Sequence, residues 1–274
     1  GFIDTHVHMP QLEVIASFGT ELLHWLETYT FPAELRYGDP AVCAAGSSRF
    51  LDALLAHGTT AAVVFPTVHK ASADALFAAA EQRGMRVIAG KCLMDRNAPP
   101  GLTDTLQSAE RDSVELIERW HVRSRLAYAH TVRFAPTSSD AQLALAGRLL
   151  AAYPGTYLQT HVAENQDELR WVAELFPDAR SYLDVYAHHD LLGARSVLAH
   201  GIWLDATDRA LLAQLGQEIV GGKSRQRDHG AAEHQGQQQR RTEPVPVIER
   251  HDVQRAIARA ERESPAHVAR GEQE

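Results

Sequence analysis

The chain is poor in cysteine, in basic charge and in long apolar runs. Two cysteines in 274 residues, Cys43 and Cys92, cannot build a disulfide framework. With no secretory signal in view they suit a reducing cytoplasm. Lys and Arg number 27 against 35 Asp and Glu, a net charge of −8. That balance argues against nucleic acid and against anionic membranes as partners. No apolar run approaches the ~20 residues of a bilayer-spanning helix. Aromatic residues make up 7% of the chain, and none lies beyond Gly216. What remains, 45% hydrophobic residues, is enough for the core of one large domain.

That core is organised as repeated strand–helix units. Gly1-Phe2-Ile3 opens a first strand. Asp39 to His57 reads as a helix stopped by Gly58. Thr59 to Phe65 is apolar and β-branched, as in a strand buried on both faces. Ser72 is expected to cap a helix over Ala73 to Arg83, ended by Gly84. Strands follow at Arg86–Lys91, Arg125–Phe134, Thr156–Val162 and Ser196–His200. Helices are expected at Thr103–His121, Asp140–Tyr153, between Asn165 and His188, and at Ala206–Leu215. Alternation of this kind implies parallel strands with helices outside them. No glycine-rich phosphate loop follows the first strand. The expected fold is therefore an α/β, TIM-type (β/α)₈ barrel, incomplete at about six units.

Composition changes after Gly216. Residues 217–274 are dominated by Gln, Arg, Glu, His and Gly, with a polar tract from Gln235 to Arg241. They are expected to form a disordered or irregular tail, a frameshifted or chimeric addition to a barrel fragment spanning 1–216.

The chemistry sits on histidines at strand ends. His6 and His8 stand two apart on an extended chain, so both side chains face the same way and can share one metal ion. The same pair is compatible with two unrelated members of a set of 15 histidines. His161 ends the strand at Thr156–Val162, and His200 ends Ser196–His200. Barrel strands converge at their carboxyl ends, which would bring all four to one mouth. Glu164, three residues after His161, is placed to move the proton of a metal-activated water. It is equally placed to sit at the start of the helix that Asn165 caps.

These residues carry a resemblance. Gly-Phe-Ile-Asp-Thr-His-Val-His is similar to the first-strand signature of the amidohydrolase superfamily, metal-dependent hydrolases on (β/α)₈ barrels. Leu26 to Glu34 (Leu-Glu-Thr-Tyr-Thr-Phe-Pro-Ala-Glu) resembles a segment of guanine deaminases. So do Gly90 to Asp95, Arg133-Phe134 and His161 to Asn165. The resemblance covers residues 1 to about 216. It implies one Zn²⁺ per chain on His6, His8 and His161, proton transfer by Glu164, and a water held by His200. It also implies a purine held by Gln11, Arg133 and Phe134, converted from guanine to xanthine with release of ammonia. A planar guanidinium suits the O6 and N7 edge of such a ring. A homodimer is the implied assembly.

The chain departs from the pattern in three places. The Asp that ends the eighth strand and the His-Cys-Pro motif of the seventh are not found, for Asp228 and Asp252 lack a strand context. The small β-sandwich beside the barrel is not found either. The Pro-Cys-x-x-Cys ligand pair of cytidine-type deaminases is absent, which excludes that class. Two other readings compete with guanine deamination. One is action on another amino- or chloro-substituted heterocycle; the other is an inactive chain that binds or assembles.

Overall fold

The computed structural model describes residues 1–17 and 22–216, with the backbone alone at 219–220. The tail expected over 217–274 lies outside the described residues, apart from that dipeptide.

The strands are β1 (Phe2–His8), β2 (Thr59–Phe65), β3 (Arg86–Ala89), β4 (Cys92–Leu93), β5 (Leu126–Val132), β6 (Tyr157–Val162), β7 (Ser196–His200) and β8 (Ile219–Val220). They pair in parallel in the order β1-β2-β3-β5-β6-β7-β8, with β4 alongside β5. Among the described residues five short helical pieces follow β1: a 3-10 helix (Met9–Val14), α1 (Leu22–Trp25), a π-helical turn (Leu26–Thr30), α2 (Phe31–Leu35) and a second 3-10 turn (Arg36–Gly38). The packing helices are α3 (Pro40–Ala56), α4 (Lys70–Gln82), α5 (Leu106–Trp120), α6 (Asp140–Ala152), α7 (Gln166–Leu175), α8 (Tyr182–His188) and α9 (Ala206–Gln214).

The row of strands curls. β1 and β7 stand five positions apart, which in a flat sheet would be roughly 24 Å at ~4.8 Å per strand. Yet the rings of His6 and His200 lie 5.1 Å apart. Alternation along the strands explains the two cores. Val63, Ile88, Ala127, Ala129 and Tyr157, from four strands, pack together inside the curve. Their neighbours Val64, Val87 and Tyr128 face outward against Leu76, Phe77 and Leu116 of the helices. On the later strands Leu158 and Leu198 meet Leu183 and Tyr186 of α8. Each of these large buried side chains contributes about 1.5–3 kcal/mol of apolar burial. Above the inner apolar layer, the Gln159 amide crosses from β6 and donates to the Val64 carbonyl of β2 at 2.9 Å. It also donates to the Thr131 hydroxyl of β5 at 2.8 Å.

The structure corrects the sequence reading at three points. Ser72 is not a cap. α4 begins at Lys70 after His69, and the Ser72 hydroxyl accepts from the Thr67 amide instead. The strand expected over Arg86–Lys91 breaks in two at Gly90, where a Cβ would sit 1.9 Å from the Ala129 carbonyl oxygen. Only glycine allows that approach. Finally, Ile219 and Val220 pair in parallel with Leu198 and Ala199, adding a seventh position to the six strands read from sequence.

Candidate active site

β1 does not run straight to its histidines. Asp4 pairs with Ala62 and Val7 with Val64, three steps against two, so a bulge lies between them. The amide of His6 turns to the Asp4 carboxylate, 3.1 Å away. His6 and His8 still meet on one side, with ring centroids 5.1 Å apart. His8 stacks on Phe65 of β2 at 4.6 Å. The Nδ1 atoms of both histidines are buried without a partner.

His161 faces them from β6. Its Nδ1–H donates to the Arg133 carbonyl at 2.6 Å. A carbonyl only accepts, so the proton is on Nδ1 and the lone pair of Nε2 faces the cluster. That Nε2 lies 2.9 Å from Nε2 of His8. His200 completes the group by leaving the strand pattern. Alternation would put it outside with Leu198, but its φ of +74° turns it to the mouth. Its ring stacks on His161 at 5.4 Å. The ligand nitrogens of His6, His161 and His200 all lie within 4.8 Å of one another.

These imidazoles are neutral. Burial, with added pressure from His200 and Arg133, pushes His6 down to about 3. Burial alone takes His200 to about 4. His8 and His161 are held well below the usual histidine range, again chiefly by burial. Neutral imidazole is the form that binds a metal, and converging lone pairs with orphaned ring nitrogens fit a cation better than they fit one another.

Glu164 follows a second left-handed residue, Ala163 at φ +51°. Its carboxylate lies 3.3 Å from Nε2 of His200. Burial raises its pKa to about 7, helped by Glu168 and opposed by Arg133. A carboxyl poised there can both take and give a proton near neutrality. Asn165 does cap α7, so the competing helix-start geometry holds as well.

A cavity of about 310 Å³ opens over the histidines, lined also by Gln11, Arg133, Phe134 and Glu164. That is at the small end of ligand pockets, roughly 300–1,000 Å³. All eight sequence-selected residues therefore meet at one place. Sequence reasoning missed the far wall, built by Leu22, Trp25 and Leu26 ahead of and within the π-helical turn. It also missed Glu168, although Asn165-x-x-Glu168 spells a capping box. Glu168 accepts from the Glu164 and Asn165 amides and from the Tyr182 hydroxyl at 2.7 Å. Glu34 was missed too. Fully buried on α2, it pairs with the Arg133 guanidinium, itself only 2% exposed. Breaking such a buried pair costs about 3–5 kcal/mol.

A curled parallel sheet with a cluster of neutral histidines and a buried carboxyl at its mouth is the arrangement of a (β/α) barrel whose site lies at the carboxyl ends of its strands. The amidohydrolase family profile matches residues 1–257, and the chain belongs to that family. Guanine deaminase of Escherichia coli is 50% identical over 220 residues, 80% of this chain and 50% of the relative. The E. coli guanine deaminase structure superposes with a TM-score of 0.79 over 80% of this chain and 51% of that one. Guanine deaminase from C. acetobutylicum, solved with guanine in its active site, is 30% identical with a TM-score of 0.76, over 79% and 52%. The chain thus spans about half the length of the relatives it matches.

Proposed function

We propose that the chain carries the guanine-handling half of a zinc-dependent deaminase that converts guanine to xanthine and ammonia. The observation that supports this most is the meeting of a neutral histidine cluster with Glu164 at about 7 beneath a purine-sized cavity. His6, His8 and His161 would hold the metal. A zinc ion there supplies a water whose pKa falls toward ~7.

The remaining work falls to the chain's own residues. His161 is fixed by the Arg133 carbonyl, so its lone pair stays aimed at the centre. His200, 3.3 Å from Glu164, accepts from the attacking water and keeps it beside that carboxyl. Glu164 takes the first proton of the water and delivers it to a ring nitrogen. It then takes the second, from the hydroxyl now added to the ring carbon, and passes it to the amine, which leaves as ammonia while that carbon becomes a carbonyl. Phe134 packs on the ring. Gln11 and Arg133 present donors to the O6 and N7 edge, and the apolar wall from Trp25 and Leu26 keeps bulk water out.

Among the described residues no helix is long and apolar enough to cross a membrane. A cytoplasmic setting fits the two buried free thiols, and a homodimer is the assembly we propose from the resemblance. A boundary near 216/217 between the barrel part and a compositionally different remainder is likewise a proposal, with Ile219 and Val220 still paired on the sheet and the family profile reaching residue 257. Incubating the zinc-loaded chain with guanine should yield equimolar ammonia and xanthine. Turnover of another aminated or chlorinated ring in place of guanine would move the assignment to that ring. A folded chain with no bound zinc and no turnover would make it a binding chain.

A further inference from the structure

Arg133 is an awkward neighbour for a metal centre. Its carbonyl is bonded to His161 Nδ1 at 2.6 Å, and its buried side chain lines the same cavity as His6, His8 and His161. A fixed positive charge in that cavity repels a divalent cation held by these rings. The interior offers little water to screen it. Burial works against charge on both partners and pushes Glu34 above the usual carboxylate range, while their direct contact draws the proton to Arg133 and away from Glu34.

Glu34 is the carboxylate that answers this charge. It reaches Arg133 across 99 residues of sequence and is fully buried. Its second oxygen, Oε2, is buried with no hydrogen-bond partner. The other carboxyl near the centre, Glu164, is turned to His200 at 3.3 Å and is the proton carrier of the proposed reaction. Glu168 spends its oxygens on two amides and a tyrosine hydroxyl.

We propose that Glu34 is the charge-balancing residue of the centre: it anchors and cancels the Arg133 guanidinium, and so lets the neighbouring histidines hold a divalent cation. This rests on the reading of His6, His8 and His161 as metal ligands. Glu34 touches neither metal nor ring; it is a positioning residue that acts through Arg133.

The test uses Zn²⁺ alone on the full metal-stripped chain, with affinity read by competition against a chromogenic chelator and folding checked by circular dichroism. Glu34→Gln is expected to weaken Zn²⁺ binding by roughly tenfold or more, because it leaves one buried cation unanswered. Glu34→Gln/Arg133→Gln removes both charges and is expected to restore affinity to within about threefold of wild type. A residue that merely props the wall would leave the double variant as weak as the single one or weaker. If Glu34→Gln does not fold, the double variant carries the test, and a loss of tenfold or more in it overturns the proposal. Wild-type affinity in a folded Glu34→Gln overturns it as well, with the ligand assignment intact. Absence of Zn²⁺ binding by the wild-type chain overturns both together.

Discussion

The two ends of the curled sheet are made by the same strands and do opposite work. Toward the amino ends, β2, β3, β5 and β6 contribute Val63, Ile88, Ala127, Ala129 and Tyr157, a dry plug with no titratable group beyond one phenol. Toward the carboxyl ends, four residues beyond Ala129 and Tyr157, β5 leads to Arg133 and β6 to His161. There the packing is among imidazole rings whose affinity for a proton burial lowers well below its value in water. The difference teaches how the barrel divides its labour. The floor supplies the stability that a mouth full of desolvated polar groups costs.

The contrast can be broken at either end. The largest effect is expected from His161→Ala, which should abolish both zinc stoichiometry, read by metal analysis, and guanine turnover. Glu164→Gln should lower kcat by about 10²–10⁴-fold while zinc content stays at the wild-type value, since a proton carrier and not a ligand is lost. At the floor the pattern should reverse. Ile88→Ala, at a site 2% exposed, should reduce the free energy of unfolding by about 2–5 kcal/mol in a denaturant titration, with zinc content unchanged.

The smallest effect separates burial from function in a histidine. His130 on β5 is bonded through Nε2 to the Thr156 hydroxyl, and burial takes its pKa from 6.5 to about 3. Between those values the unfolded chain binds a proton that the folded chain refuses. Stability therefore falls as pH drops through that window, by at most ~1.4 kcal/mol per pH unit from this group. His130→Gln should flatten the slope of stability against pH by that share, with no change in zinc content at pH 7.5. An unchanged slope would mean the ring is wetter than its packing implies.

Much of this was legible in the sequence because it is local. β7 was read to the residue from Ser196 to His200, and β2 likewise from Thr59 to Phe65. A run of apolar, β-branched residues ended by turn signals needs no partner to be recognised. The four histidines could be assembled because barrel strands share a mouth. Three things were beyond local reading. The split at Gly90 depends on the Ala129 carbonyl of another strand. The turn of His200 into the mouth depends on one backbone torsion, which side-chain alternation predicts wrongly. The Glu34–Arg133 pair joins segments whose separation leaves no periodic trace, although Glu34 lies in the stretch that carried the resemblance.

The amide of Gln159 has a consequence beyond the strands it joins. By tying β6 to the backbone of β2 across the interior, it fixes the span between the two sides of the cluster with material from residues 64 to 159 alone. His6 and His8 stand on β1, paired with β2, and His161 is two residues further on. The three nitrogens are in this way held in register by contacts that use no part of β7. The spacing of the three imidazoles is thus a property of β1, β2 and β6, and β7 brings His200 to a cluster whose span is set without it.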